Sequence, residues 1–314
     1  MRRTLFALGA MLALAGPASA AEKLITILTG SPNGVYYPLG TTLSSIYGKG
    51  IPGIDVTAQA TAGSVENLRR LEAGEGELAF TLGDALEDAW AGNQVAGFTE
   101  KFSELRGIAR IYRNFIQIVA RGNSNIETLA DLKGKRVSVG AKGSGTALNA
   151  ALIFKAAGFD FGGLGNVDYS PFGTAVRSVE NGTLDATLQS AGLGVESIRH
   201  LLASDDAKLI PIPPEIVAKI GSPVYVAATI PAGTYDRQTA NVVTVSVPNF
   251  LVTRKAISDE TAYLMTKLLF TNLDDLARTH PAAKEIDIRI ATEGMPIPLH
   301  PGAERYYREA GVLK

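Results

Sequence analysis

The stretch LITILTGSPNGVYYPLGTTLSSIY (Leu24–Tyr47) reads as strand, loop and helix in one pass. Leu24–Leu28 is a short apolar run of the kind buried on both faces of a sheet. Thr29–Gly34 is a loop of glycine, proline and small hydroxyl residues, and Val35–Tyr47 carries apolar side chains at helical spacing. The same order of strand, Gly/Ser/Thr loop and helix start returns at Thr61–Ser64, Gly83–Asp84, Gly143–Thr146 and Ser170–Thr174. Regular alternation of this kind predicts an α/β fold with mainly parallel sheet.

Outward from that unit, strands are expected over Ile54–Ala60, Glu77–Leu82, Ile116–Ala120 and Leu184–Leu188. Helices are expected over Ser64–Ala73, Thr146–Ala157 and Thr174–Glu180, and the longest over Asp259–Leu276. The units fall into two sets, before and after residue 115. Leu105–Gln117 and Val242–Thr253, both extended in character, are the candidate crossings between them. Two lobes follow, the first from 21–114 plus 248–314 and the second from 115–247.

The chain's N-terminus reads as an address. Arg2 and Arg3 precede the apolar run Leu5–Ala15, then Pro17 and the small-residue pattern Ala18-Ser19-Ala20. This is the layout of a secretory signal peptide over residues 1–20, cleaved after Ala20. Its apolar run is shorter than the roughly 20 residues of a membrane span. Export to a bacterial periplasm is the expected destination, since a chain of 314 residues with no cysteine must be stabilised by its core alone.

Composition removes several function classes. With 30 Lys+Arg against 31 Asp+Glu, no basic excess points to nucleic acid. The absence of cysteine excludes thiolate catalysis and iron–sulfur or zinc–thiolate sites. His200, His280 and His300 stand too far apart for a local metal motif, so no metal and no cofactor are expected. Gly48-x-Gly50-x-x-Gly53 matches a dinucleotide pattern but follows a helix and contains Pro52, and in Gly140–Thr146 no Lys-Ser/Thr follows the last glycine as a phosphate loop requires. No Gly-x-Ser-x-Gly elbow is present.

What remains is the chemistry of helix starts. The first backbone N–H groups of a helix lack intrahelical partners, and the helix dipole places partial positive charge there. Glycine lets a ligand come close to the backbone, and Ser or Thr adds a donor. Any one such loop is adequately explained as a cap. Thr29–Gly34 and Gly143–Thr146, however, hold more glycine and hydroxyl than a cap requires. In an open α/β sheet these loops gather at the carboxyl ends of the strands, where ligands bind. Several together could supply the roughly −8 kcal/mol of a micromolar ligand. Tyr36 is the better placed of the tyrosine pair to wall such a site.

Five segments taken in order, GSPNGVYYPLG (30–40), GSVENLRRLEAGEGELAF (63–80), DLKGKRVSVGAKGSGT (131–146), GTLDATL (182–188) and PIPLHPGAERYYREAGV (296–312), resemble the TAXI-type solute receptors of tripartite ATP-independent periplasmic (TRAP) transporters. The resemblance implies a periplasmic-binding-protein type II fold and no catalysis. It implies a receptor that captures a small organic acid, glutamate-like or a dicarboxylate, and delivers it to TRAP membrane permease subunits; a monomer is expected. Carried onto this chain, Gly34, Tyr36, Ser64, Asn67, Asp84, Ser144, Gly145 and Thr146 would line the cleft, with Gln189 added from the second lobe. The competing readings are a periplasmic enzyme, with Asp84 as base and Tyr36 as acid, and a ligand-sensing subunit.

Overall fold

The structure, a computed structural model, describes residues 24–204 and 206–314. The signal-peptide reading over 1–20 therefore lies outside the described residues. The first half opens with β1 (Leu24–Leu28), α1 (Tyr36–Gly50), β2 (Asp55–Gln59), α2 (Ser64–Glu72), β3 (Leu78–Leu82) and α3 (Gly83–Ala91). The long strand β4 (Leu105–Arg121) leads into the second half. There follow β5 (Arg136–Ser138), α4 (Gly145–Ala156), β6 (Asn166–Asp168), α5 (Phe172–Glu180), β7 (Ala186–Ala191), α6 (Glu196–Leu202), β8 (Ala207–Ile210), α7 (Pro214–Ile220) and β9 (Val226–Ile230). A second long strand, β10 (Val242–Arg254), returns to the first half. It precedes α8 (Asp259–Thr271), α9 (Leu273–Thr279) and α10 (Pro301–Glu309).

The strands form one sheet in the order β2-β1-β3-β10-β4-β7-β5-β6, with β8 beside β4 and β9 beside β10. Pairings among β1, β2 and β3 and among β5, β6 and β7 are parallel. β4 and β10 run antiparallel to each other and to their other neighbours. They belong to both lobes, and the expected boundaries at 114/115 and 247/248 fall inside them. Pro248 interrupts the ladder at that point, because a proline has no N–H to donate, and the β4–β10 register shifts between Pro248 and Phe250.

The apolar core divides by sheet face. One cluster holds Ile25, Ile27, Leu39, Tyr112, Phe115, Val176 and Met265; the other holds Leu28, Leu68, Leu82, Ile116, Ile118, Phe154 and Leu188. Each runs through both halves. β3 and β7 are buried at every position, as the apolar run of β3 requires, although β7 also carries Thr187, Gln189 and Ser190. The expected single helix over Asp259–Leu276 is broken at Asn272, whose side-chain amide donates to the Leu268 carbonyl at 2.8 Å and terminates α8. Among the described residues the longest helix is instead α1, with 15 residues. α8 packs on α1 and α10, which places the C-terminal segment on the first lobe.

Candidate functional site

Each of α1 to α5 begins just after a strand or an extended loop. Val35, Gly63, Leu82, Ser144 and Pro171 occupy the N-cap positions. Gly63 has φ +117°, a backbone state that a side chain would resist, and its position lets α2 begin directly beneath Ser144. Ser144 caps α4 by accepting from the Ala147 amide at 3.1 Å. All five N-cap residues line one cavity, together with Gly30, Ser31, Gly34, Tyr36, Ser64, Tyr112, Asn114, Gly145, Thr146, Phe172 and Ser190. Its volume is about 580 Å³, counting the part open to solvent. Both lobes contribute.

The lobes touch around this cavity. The Glu66 amide in the first turn of α2 donates to the Gly143 carbonyl at 2.9 Å. A Cβ built on Gly145 would stand 2.7 Å from the Ser64 hydroxyl, so a glycine is needed for α2 and α4 to approach this closely. Beneath the cavity a hydrogen-bond chain crosses between the lobes. The Tyr36 hydroxyl donates to Asn249 Oδ1. The Asn249 amide donates to Asn114 Oδ1 at 2.8 Å, and the Asn114 amide to the Ser190 carbonyl at 2.8 Å. Asn249 and Asn114 sit on β10 and β4 next to the Pro248 irregularity. Burial pushes the Tyr36 phenol far above its ordinary range, so it remains a neutral donor.

Of the sequence-based candidates, Gly34, Tyr36, Ser64, Ser144, Gly145 and Thr146 stand in the cavity wall. Asn67, Asp84 and Gln189 do not, and their placement corrects the expectation. Asn67 is fully buried, and its amide donates to the carbonyls of Thr29 and Phe80 at 2.7 and 2.8 Å; it ties the first two loops to β3. Gln189 is turned to α6, where its Oε1 accepts from the Ser197 hydroxyl at 2.6 Å. Asp84 Oδ2 accepts from the Tyr225 hydroxyl at 2.5 Å and from the Asn149 amide at 2.7 Å, both in the second lobe. Burial raises its carboxyl to about 6, against the lowering effect of the Tyr225 bond.

Sequence reasoning missed Ser31, Tyr112, Asn114, Phe172 and Ser190. Phe172 lies in one of the glycine and hydroxyl loops, but an aromatic among Ser, Pro and Gly carries no anion-binding signal. Tyr112 and Asn114 lie on β4, where only the register of the long strand reveals which side chains meet the cavity. No aspartate, glutamate, lysine, arginine or histidine is among the lining residues. Among the described residues no cluster of three or more His, Cys, Asp or Glu is placed to hold a metal ion. No described helix is long and apolar enough to cross a membrane.

Solved structures share this architecture at low identity. PhnD1 from Prochlorococcus marinus, solved with methylphosphonate, is 12% identical with a TM-score of 0.57; the match covers 93% of this chain and 99% of that one. The periplasmic aliphatic sulphonate binding protein SsuA from Escherichia coli is 18% identical with a TM-score of 0.50, over 92% of this chain and 84% of that one. A putative L-cystine ABC transporter from Listeria monocytogenes is 16% identical with a TM-score of 0.50, over 84% and 98%. The fold is thus of the periplasmic-binding-protein type II kind, two α/β lobes about a cleft. Residues 27–311 carry the sequence signature of the NMT1-like family, and the chain belongs to that family.

Proposed function

We propose that this chain is a periplasmic solute receptor that captures a small carboxylate and hands it to a membrane permease. The observation that carries the reading is the convergence of five helix N-termini, from both lobes, on one cavity with no charged side chain in its wall. Helix dipoles and backbone N–H groups at the helix starts favour an anion there, and hydroxyls of Ser64, Ser144 and Thr146 can add donors. One neighbour is named as an aliphatic sulphonate binding protein and another was solved with methylphosphonate, both small oxyanions, which is consistent with the same class of guest.

The finer assignment, to a TAXI-type receptor of a TRAP transporter, rests on the five resembling sequence segments. The ligand on this reading is glutamate-like or a dicarboxylate, and the receptor acts as an exported monomer. The Listeria neighbour, a putative L-cystine ABC transporter, favours a second reading, delivery to an ATP-driven permease. Uptake by the cognate permease in vesicles separates them: an ion gradient suffices in the first case, and ATP is required in the second. An enzyme reading loses its acid–base pair, since Asp84 is outside the wall and the Tyr36 hydroxyl is committed to Asn249.

Calorimetry and thermal shift against a panel of carboxylates, sulphonates and phosphonates test the receptor reading. A carboxylate should bind saturably and raise the melting temperature by mass action. Preference for a sulphonate or phosphonate would refute the carboxylate assignment, and no binding by any member would refute the receptor.

A further inference from the structure

We infer that Asp84 is a proton-binding site made by lobe closure, where a neutral carboxyl pairs with the Asn149 amide outside the cavity. The argument is a count of donors and acceptors. Asp84 Oδ2 accepts from the Tyr225 hydroxyl at 2.5 Å and from the Asn149 amide at 2.7 Å, and the same amide donates to the Tyr225 hydroxyl at 2.8 Å. Those bonds use both N–H groups of Asn149 and the single O–H of Tyr225. Two oxygens of the cluster, Asp84 Oδ1 and Asn149 Oδ1, are buried without a hydrogen-bond partner. An ionised carboxylate and an amide carbonyl both accept, so with Asp84 charged neither oxygen can satisfy the other. One proton taken from solvent onto Asp84 Oδ1 changes that. The carboxyl becomes a donor, and the idle Asn149 Oδ1 is the acceptor it needs. Acid and amide then pair at two points, the amide N–H to Oδ2 and the acid O–H to the amide oxygen.

The surrounding charges give the anion little support. Of the elements packed on α3, β3 carries no titratable residue, α4 only Lys155 in its last turn, and β10 only Arg254 at its far end, held by Glu77. On α2, Glu66 pairs with Arg70, Arg69 reaches the Gly97 carbonyl, and Glu72 accepts from the Ser103 and Glu104 amides. Asp88, one turn along α3, repels a second negative charge, and burial keeps the Tyr36 and Tyr225 phenols neutral. Burial raises the Asp84 carboxyl to about 6, against the lowering effects of the Tyr225 hydroxyl and the backbone amides at the start of α3.

Asp84 belongs to the first lobe, Asn149 and Tyr225 to the second. A Cβ on Gly83 would meet Pro248 at the hinge, and one on Gly145 would meet Ser64 where α4 faces α2, so the cluster lies between the pivot and the outer lobe contact. Parting the lobes admits water to the carboxyl, which then titrates near the ordinary 3.9. Closing therefore takes up a proton. The sign follows from a carboxyl raised in the closed form: its contribution to closure is full below about pH 4 and is lost as pH rises through 6. By linkage, the closing equilibrium should be about tenfold more favourable at pH 5 than at pH 7.5.

Two measurements on the ligand-free protein test this. Infrared difference spectra of wild type against Asp84→Asn should show a protonated-carboxyl C=O band at pH 5 that disappears with a midpoint near pH 6. No such band at pH 5 overturns the inference. Small-angle scattering should give a smaller radius of gyration for wild type at pH 5 than at pH 7.5. Asp84→Asn, whose amide mimics the neutral acid, should stay compact at both. The same pH response in the two proteins, or none in either, overturns the link between the proton and closure. Tyr225→Phe keeps the test open should Asp84→Asn fold poorly. It removes a donor to the carboxylate and should carry the band to higher pH, whereas an unmoved midpoint overturns the assignment to this cluster. No ligand enters either measurement, so failure here leaves the receptor reading standing.

Discussion

Asp84→Asn should change how stability depends on pH. The Asp84 carboxyl lies in the first turn of α3, 5% exposed, bonded by Tyr225 and Asn149 across the lobe junction, with its Oδ1 lacking a hydrogen-bond partner. Burial raises it to about 6 in the folded protein, while an unfolded aspartate titrates near 3.9. A carboxyl raised on folding binds its proton more tightly in the native state. Its contribution to stability is therefore fully present below about pH 4 and is lost as pH rises through 6. A difference of about two units corresponds to about 3 kcal/mol across that window. Asparagine keeps the shape and cannot titrate. Urea denaturation followed by circular dichroism from pH 4 to pH 8 should show wild type losing about 3 kcal/mol relative to the variant over that range. A constant difference, or one that favours wild type increasingly at high pH, would refute the reasoning. Tyr225→Phe removes a donor to the ionised carboxylate and should move the wild-type transition to higher pH.

Ser144→Ala combined with Thr146→Val should weaken ligand binding by far more than it lowers stability, where loss of the Ala147 cap accounts for about 1 kcal/mol; equal losses in both would make the loop a cap and nothing else. Tyr36→Phe leaves Asn249 Oδ1 without its hydroxyl donor and should cost about 1–3 kcal/mol by chemical denaturation, whereas an unchanged midpoint would mean the buried chain across β10 and β4 is not formed in solution. Gly145→Ala puts a methyl 2.7 Å from the Ser64 hydroxyl and should hold the lobes apart, seen as a larger radius of gyration in small-angle scattering with saturating ligand; a radius equal to wild type would show that α2 and α4 do not need to approach so closely.

Most of the architecture is readable in the sequence because strand and helix periods differ and the loops between them are marked by glycine. β1, α2 and β3 match their expected spans within a residue or two. The region from Ser197 to Asn241 carries no clear period. α6, β8, α7 and β9 are short, and β9 alternates weakly, with Val226 half exposed. Their existence depends on the long strands they pair with. The loops of the site are legible as local capping grammar, but side-chain direction is not. Asn67 and Asp84 carry polar groups at suitable loop positions, and tertiary packing turns one toward β3 and the other toward Tyr225. Tyr112 and Ser190, on strands that only the sheet register orients, could not be found from neighbours in sequence. The helix break at Asn272 is a case in which a side chain outcompeted a good apolar stripe.

The meeting of α2 and α4 tip to tip has a further result. Like-signed helix ends brought this close repel, and a negative guest seated between them would offset that repulsion and so favour the closed arrangement.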